Sequence, residues 1–301
     1  IEESRVGGTC VMRGCVPKKL LVYGAHYAES IEDAVGFGWS IENASHDWGR
    51  LVSAKDKELD RLESVYNKLL ENSGVELIRG RGCVMGPNTV EVDGRSYTAD
   101  RILIGVGGWP HIPDFPGAEH VITSNEALDL KKLPDRIVIV GAGYIGLEFA
   151  GIFNALGSEV HVFVRANTLL RGFDIDIRSG IAERMQKKGI IIHYNTNVQS
   201  IKKSSENILG VKTHNGVDHK ADCVMFASGR TPNTQGLGLL ECGVNLRENG
   251  SVIVDKKNQS SVPTIYAVGD VTDRINLTPV AINEGRVFAE TFYNNNPITL
   301  D

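Results

Sequence analysis

Arg136-Ile137-Val138-Ile139-Val140-Gly141-Ala142-Gly143-Tyr144-Ile145-Gly146 is the stretch on which the reading of this 301-residue chain turns. The apolar, β-branched run 136–140 predicts a buried strand, and the run 141–156 predicts a helix. A GxGxxG turn alone is weak evidence, but between a strand and a helix it has a mechanism. The first glycine permits the tight turn, the second lets a pyrophosphate approach the backbone, and the third lets helix and strand pack closely. The helix N-terminus adds N–H groups and a favourable dipole for phosphate. Gly141, Ala142, Gly143, Tyr144, Ile145 and Gly146 therefore read as the cradle of a dinucleotide.

The second strand of the unit, predicted over 160–164, bears on which dinucleotide. NAD sites place an acid at the end of this strand to hold the ribose hydroxyls. Here that position is Val164, followed by Arg165 and, six residues on, Arg171, while Glu159 precedes the strand. Taken alone, two arginines read as solvated surface residues. With the acid missing they suit a 2′-phosphate, because charge-assisted hydrogen bonds are about twice as strong as neutral ones. NADPH is the better reading.

Outward from this unit, a helix over 175–188, a strand over 190–194 and a strand over 223–227 extend the pattern. Upstream, helices are expected over 9–30 and 52–72, with short strands over 75–78, 89–92 and 101–106. Gly107-Gly108-Trp109-Pro110 and Ser228-Gly229-Arg230 punctuate the chain. A last strand is expected over 264–268 and a last helix over 278–293. Alternating strands and helices argue for an α/β fold with parallel sheets. Three segments are expected: 1–108, 109–232 and 233–301.

Composition is that of a soluble globular protein, with 42 % apolar and 23 % charged residues. A net charge of −5 gives no hint of nucleic-acid binding. No apolar run approaches the roughly 18 residues of a membrane span. The start at Ile1-Glu2-Glu3, with no initiator methionine, reads as a truncated chain. The five cysteines (Cys10, Cys15, Cys83, Cys223 and Cys242) are too few and odd in number for a secreted disulfide scaffold, so a cytoplasmic setting is expected.

Gly7-Gly8-Thr9-Cys10-Val11-Met12-Arg13-Gly14-Cys15-Val16-Pro17-Lys18 holds two of those cysteines five residues apart. On a regular helix their Cα atoms would be roughly 8–9 Å apart, beyond the ~7 Å limit for a disulfide. Gly14 and Pro17 supply a distortion that a bridge would require. The pair reads either as redox chemistry or as two cysteines in a core helix. A zinc site lacks a second pair or a nearby histidine, and no metal is expected.

Gly-Gly-Thr-Cys-x4-Cys-Val-Pro-Lys-Lys, read with the fingerprint and its arginines, resembles the glutathione reductases among the flavoprotein disulfide reductases. The resemblance runs from Glu2 to about Arg286. It implies two Rossmann-like domains, one for FAD and one for NADPH, in a three-layer ββα architecture. It also implies NADPH-dependent reduction of glutathione disulfide through a Cys10–Cys15 disulfide, with Cys10 the interchange thiol and Cys15 beside the flavin. Lys18 would lie next to the flavin paired with Glu148, and Tyr144 would gate the nicotinamide side. FAD contacts are implied at Glu2, Gly8, Thr9, Cys10, Lys18, Gly82, Gly107, Arg230, Asp270, Leu277 and Thr278. For NADPH, Glu148, Arg165, Arg171 and Gly229 join the fingerprint residues. Tyr66 and Arg286 match substrate contacts, and Arg286 suits an anionic disulfide.

The sequence also departs from that pattern. The family's first flavin GxGxxG is expected upstream of residue 1. The usual Ala-Thr-Gly-Gly reads Gly105-Val106-Gly107-Gly108, and Val106 lacks the threonine hydroxyl. The family continues into an interface domain that builds a homodimer and supplies a His–Glu pair to the partner. His26, His46, His111, His120, His161, His193, His214 and His219 match no part of that pair, and most read as surface or packing residues. The interface domain is therefore expected to be missing, and the chain alone to turn over poorly. Rival readings are a reductase of another low-molecular-weight disulfide, such as a trypanothione-like one, and a non-catalytic dinucleotide-binding module.

Overall fold

The computed structural model describes residues 1–298, so the last three residues of the 233–301 segment lie outside the described residues. The chain forms two compact units, each assembled from separate stretches. One comprises Ile1–Gly7, Glu63–Trp109 and the chain from Arg230 onward. The other comprises Gly8–Leu62 and Pro110–Gly229.

The second unit is built on a four-stranded parallel sheet in the order Cys223–Phe226, Arg136–Val140, Glu159–Phe163, Ile191–His193. Its strands read as near-continuous apolar runs because both faces are covered. Ile137, Ile139, Val160, Val162 and Met225 point to one face and join a core with Leu21, Trp48, Phe149 and Phe153 from the helices. Val138, Phe163, Val224 and Phe226 point to the other and pack with Ile201, Leu209 and Val211 of a three-stranded antiparallel sheet. That sheet comprises Val198–Lys203, Leu209–Thr213 and Asp218–Ala221. Helix, parallel sheet and antiparallel sheet are the three layers of the expected ββα architecture. Each fully buried Val, Ile or Phe in them contributes roughly 1.5–3 kcal/mol. The antiparallel sheet is the part that alternation of strand and helix did not foretell. Its strands are short and carry lysines, and they present only every second residue to the core.

A buried cation ties this unit together. Lys55 is 1 % exposed, and its Nζ donates to Asp56 at 2.7 Å and Asp129 at 2.8 Å. Trp48 Nε1 donates to the Leu130 carbonyl at 2.6 Å, so the same helix is fastened twice to the chain just before the fingerprint strand.

The first unit holds a three-stranded antiparallel meander, Gly82–Gly86, Thr89–Val92 and Arg95–Thr98, and a parallel pair, Ile102–Ile104 with Ile265–Ala267. Val84, Ile104, Leu239, Val252 and Ile265 form its core. The strand expected over 75–78 does not form. That backbone makes only an isolated parallel bridge, Glu2 with Arg79, with Glu2 N–H donating to the Ile78 carbonyl at 3.0 Å. The continuous helix expected over 9–30 is also corrected: it is two segments broken at Gly14.

Candidate redox and dinucleotide sites

Thr9–Arg13 forms a π-helical turn, and an α-helix starts afresh at Cys15 and runs to Ala34. Gly14, between them, has φ −148 and ψ −110, outside any helix. A side chain there is excluded on contact grounds: a Cβ would stand 2.9 Å from the Thr9 carbonyl oxygen. Pro17 is the third residue of the new helix, where N–H groups have no intrahelical partner, so its missing donor costs nothing. Cys10 lies in the π turn, half-buried, and Cys15 opens the helix, exposed.

One turn further on, Lys18 Nζ meets Glu148 Oε1 at 2.7 Å, across 130 residues of sequence. The side chains are 27 % and 36 % exposed, so the pair is partly screened and is worth more than a surface pair but less than a buried one. Glu148 stands on the helix Tyr144–Ala155, four residues after Tyr144, and Tyr144 is 52 % exposed at the N-terminus of that helix.

The three glycines of the fingerprint have three distinct surroundings. Gly141 has φ +117, and a Cβ on it would lie 2.4 Å from the Ala227 carbonyl. A Cβ on Gly146 would lie 2.2 Å from the Gly141 carbonyl. Around Gly143 there is nothing within 4 Å of the added atom. Two glycines are thus required by the protein's own backbone, and the third faces open space. That is the division expected if an external phosphate approaches at Gly143, so the residues present fit a pyrophosphate.

Beside this turn lies the loop that follows the second strand. Leu170 N–H donates to the Ala142 carbonyl at 2.9 Å, and Thr196 N–H donates to the Val164 carbonyl at 2.9 Å. Leu169 and Leu170 are buried, which holds the loop to the unit while Arg165 and Arg171 are exposed. Neither arginine has an ion-pair partner among the described residues. Gly229 closes the strand Cys223–Phe226 region, exposed, with its carbonyl accepting from His111 N–H at 3.0 Å.

Gly8, with φ +66, and Thr9 open the second unit just before Cys10, and the remaining expected residues lie in the first unit. Glu2 is half-buried, and its Oε1 accepts from Ser4 N–H at 2.7 Å. Gly82 opens the meander, and Gly107 has φ +68. Arg230 donates from Nη2 to the Gly108 carbonyl. Asp270 sits in the short 3-10 turn Gly269–Thr272, where burial pushes its carboxyl up, Arg230 pulls it down and Asp273 pushes it up. The helix Thr278–Tyr293 begins at Leu277, which offers no side-chain acceptor to the first turn. Such an end suits an external partial negative charge. A half-buried carboxylate with an arginine beside it and an uncapped helix start fit the polar parts of a flavin. Tyr66 and Arg286 stand exposed on two helices.

Sequence reading missed what holds the Asp270 turn. Glu284, 4 % exposed, accepts from Gly269 N–H at 2.6 Å and from Arg274 Nη2 at 2.6 Å, while Arg274 also donates to Asn258 Oδ1. Glu284 sits on the same helix as Thr278, so one carboxylate joins the turn to the helix. A lone glutamate in a helix carries no signal of this in the sequence.

Among the described residues no helix is long and apolar enough to cross a membrane. Residues 1–285 match the family model described as pyridine nucleotide-disulphide oxidoreductase. A glutathione reductase named chloroplastic/mitochondrial from Pisum sativum is 50 % identical over 98 % of this chain and 54 % of its own length. A glutathione reductase from Burkholderia cepacia is 48 % identical over 97 % of this chain and 65 % of its own. The structure of an HOCl-induced flavoprotein disulfide reductase from Escherichia coli superposes with a TM-score of 0.87, 27 % identity, and coverage of 99 % of this chain and 66 % of that one. The chain thus spans between about half and two thirds of the length of these relatives. With the match extending over nearly its whole length, the chain belongs to the pyridine nucleotide-disulphide oxidoreductase family.

Proposed function

We propose that the full-length protein is an NADPH-dependent reductase of glutathione disulfide that works through FAD and a redox pair at Cys10 and Cys15. The observation that carries this reading is the broken helix at Gly14. It sets one cysteine on each side of the break and the Lys18–Glu148 pair one turn on. The similarity to the two glutathione reductases supports the choice of substrate.

In this reading Gly143 lets the NADPH pyrophosphate approach the backbone, and Gly141, Ala142, Ile145 and Gly146 shape that turn. Arg165 and Arg171 hold the 2′-phosphate, Gly229 borders the site, and Tyr144 covers the nicotinamide side. FAD would be held by Glu2, Gly8, Thr9, Gly82, Gly107, Arg230, Asp270, Leu277 and Thr278. When bound it supplies a two-electron carrier between NADPH and the cysteine pair. Lys18, oriented by Glu148, sets a fixed positive charge beside that carrier.

The cysteines do the remaining chemistry. The Cys10 thiolate attacks one sulfur of glutathione disulfide. A Cys10–glutathione bond forms, the substrate S–S bond breaks, and one glutathione thiolate leaves and takes up a proton. The Cys15 thiolate then attacks the Cys10 sulfur, which closes the Cys10–Cys15 bridge and releases the second glutathione. Tyr66 and Arg286 hold the substrate, with Arg286 on a carboxylate. Proton supply from a histidine of a second subunit, a homodimer, and a cytoplasmic setting complete the proposal. The test is NADPH oxidation by the full-length protein with glutathione disulfide. Turnover is expected and should vanish in Cys10→Ser; turnover unchanged by that substitution ends the idea.

A further inference from the structure

Three histidines that the redox chemistry leaves unused converge in the second unit. His161 lies on the strand Glu159–Phe163, His193 ends the strand Ile191–His193, and His219 lies on Asp218–Ala221 of the antiparallel sheet. One ring nitrogen from each lies within 4.8 Å of the others. All three are half-buried, and no other group of three or more His, Cys, Asp or Glu side chains among the described residues meets this condition. We propose that His161, His193 and His219 form a binding site for a borderline divalent transition cation of the Zn2+ type, which clips the parallel sheet to the antiparallel one.

The geometry is close to what a cation needs. A tetrahedral site with bonds of about 2.0–2.1 Å places its nitrogens about 3.3 Å apart. His161 Nδ1 and His193 Nε2 are 2.9 Å apart, with ring planes within 13°. Opening that pair slightly and drawing His219 inward would complete three ligands, with water at the fourth position.

The outer groups are arranged for the same end. Glu159 Oε1 lies 2.8 Å from His161 Nε2. A proton held on Nε2 by this carboxylate leaves Nδ1, the nitrogen aimed at His193, as a lone pair. Carboxylate–histidine–metal triads fix the tautomer in this way. Phe163, fully buried, packs edge-on against His193 at 5.1 Å and against His219 at 4.8 Å, which holds two of the rings in place. Burial, then the charges of His219 and His161, lowers His193 to about 4, and burial first, then His161, lowers His219. Both rings therefore offer neutral nitrogens near pH 7, as metal ligands must. An all-imidazole set suits Zn2+, Co2+ or Ni2+ and excludes Mg2+ and Ca2+, which take oxygen.

The test uses the 301-residue chain with its thiols alkylated, so that Cys10 and Cys15 are removed as ligands. Calorimetric titration with Zn2+ should show one site. Saturating Zn2+, at about a hundredfold excess over the dissociation constant, should raise the melting temperature by roughly 5 °C. His161→Gln and His219→Gln, made singly, should each abolish both effects, and Glu159→Gln should weaken binding about tenfold. The Co2+-loaded wild-type chain provides a readout that needs no variant: it should show the intense visible bands of a four-coordinate nitrogen site. Zn2+ binding unchanged in either histidine variant, weak six-coordinate Co2+ bands, or no Zn2+ retained by the wild-type chain would each overturn the proposal.

Discussion

The fingerprint turn at Gly141–Gly146 and the Asp270 turn each join a strand to a helical segment, yet they are built in opposite ways. The first is held in shape by atoms that are missing: two glycines sit where any Cβ would enter a backbone carbonyl. The second is held by atoms that are present: Glu284 bonds the Gly269 N–H and the Arg274 guanidinium at once. A turn made by steric absence should fail when one carbon is added. A turn made by a buried charge should fail when that charge is removed.

The largest effect is expected at the fingerprint. Gly141→Ala combines a φ of +117 with a contact of 2.4 Å to the Ala227 carbonyl. It should cost about 4 kcal/mol of unfolding free energy, measured by urea denaturation. A well-folded Gly141→Ala chain would break the comparison. Next is Glu284→Ala, which strands Arg274 and the Gly269 N–H. Because Arg274 is itself a third exposed, about 3 kcal/mol is expected rather than the full loss seen for a sealed pair. Gly269→Ala sharpens the contrast: its φ of +75 carries backbone strain too, but its Cβ would meet the Ala281 methyl at 3.1 Å rather than a carbonyl, so its cost should fall below that of Gly141→Ala.

Gly143→Ala should be nearly silent in stability, within about 0.5 kcal/mol, because nothing stands near the added methyl. The same variant should raise the KM for NADPH, since the methyl occupies the open flank. A rise in KM without a fall in stability would mark Gly143 as facing the proposed dinucleotide and set it apart from Gly141 and Gly146, which the backbone requires.

The smallest effect concerns pH. Burial raises the Asp270 carboxyl in the folded state above its unfolded value, against the pull of Arg230. The folded state then holds the proton more tightly. Its contribution to stability is complete below the ordinary aspartate range and is lost as pH rises through the raised value. Asp270→Asn should therefore melt slightly higher than wild type at neutral pH, with the difference closing as the pH falls toward the carboxylate range. An advantage that persists unchanged at low pH would show that Asp270 carries no such penalty.

These two turns also explain what could be read in advance. The fingerprint is legible because its constraints are local: a strand, three glycines and a helix within a dozen residues. The helix Thr278–Tyr293 was bounded correctly for the same reason, with Thr-Pro at its start and an amphipathic run behind it. The Lys18–Glu148 pair spans 130 residues and was legible only through resemblance. Nothing local announces the clasp by Glu284, the burial of Lys55, or the meeting of three histidines from three strands. The first two depend on where a helix meets a distant turn or loop and the third on strand register, and single-sequence periodicity specifies neither. The antiparallel sheet was missed because its strands bury only alternate residues, whereas the parallel strands bury runs.

Pro17 has a consequence beyond starting a helix. Were the α-helix to extend backward through the π turn, its ring would collide with the carbonyl of Arg13, one turn earlier. The discontinuity at Gly14 is thereby locked from both sides, by a residue with no room for a side chain and by a ring that forbids annealing. The segment has no straight helix into which it can relax, whatever bonds the two flanking cysteines make.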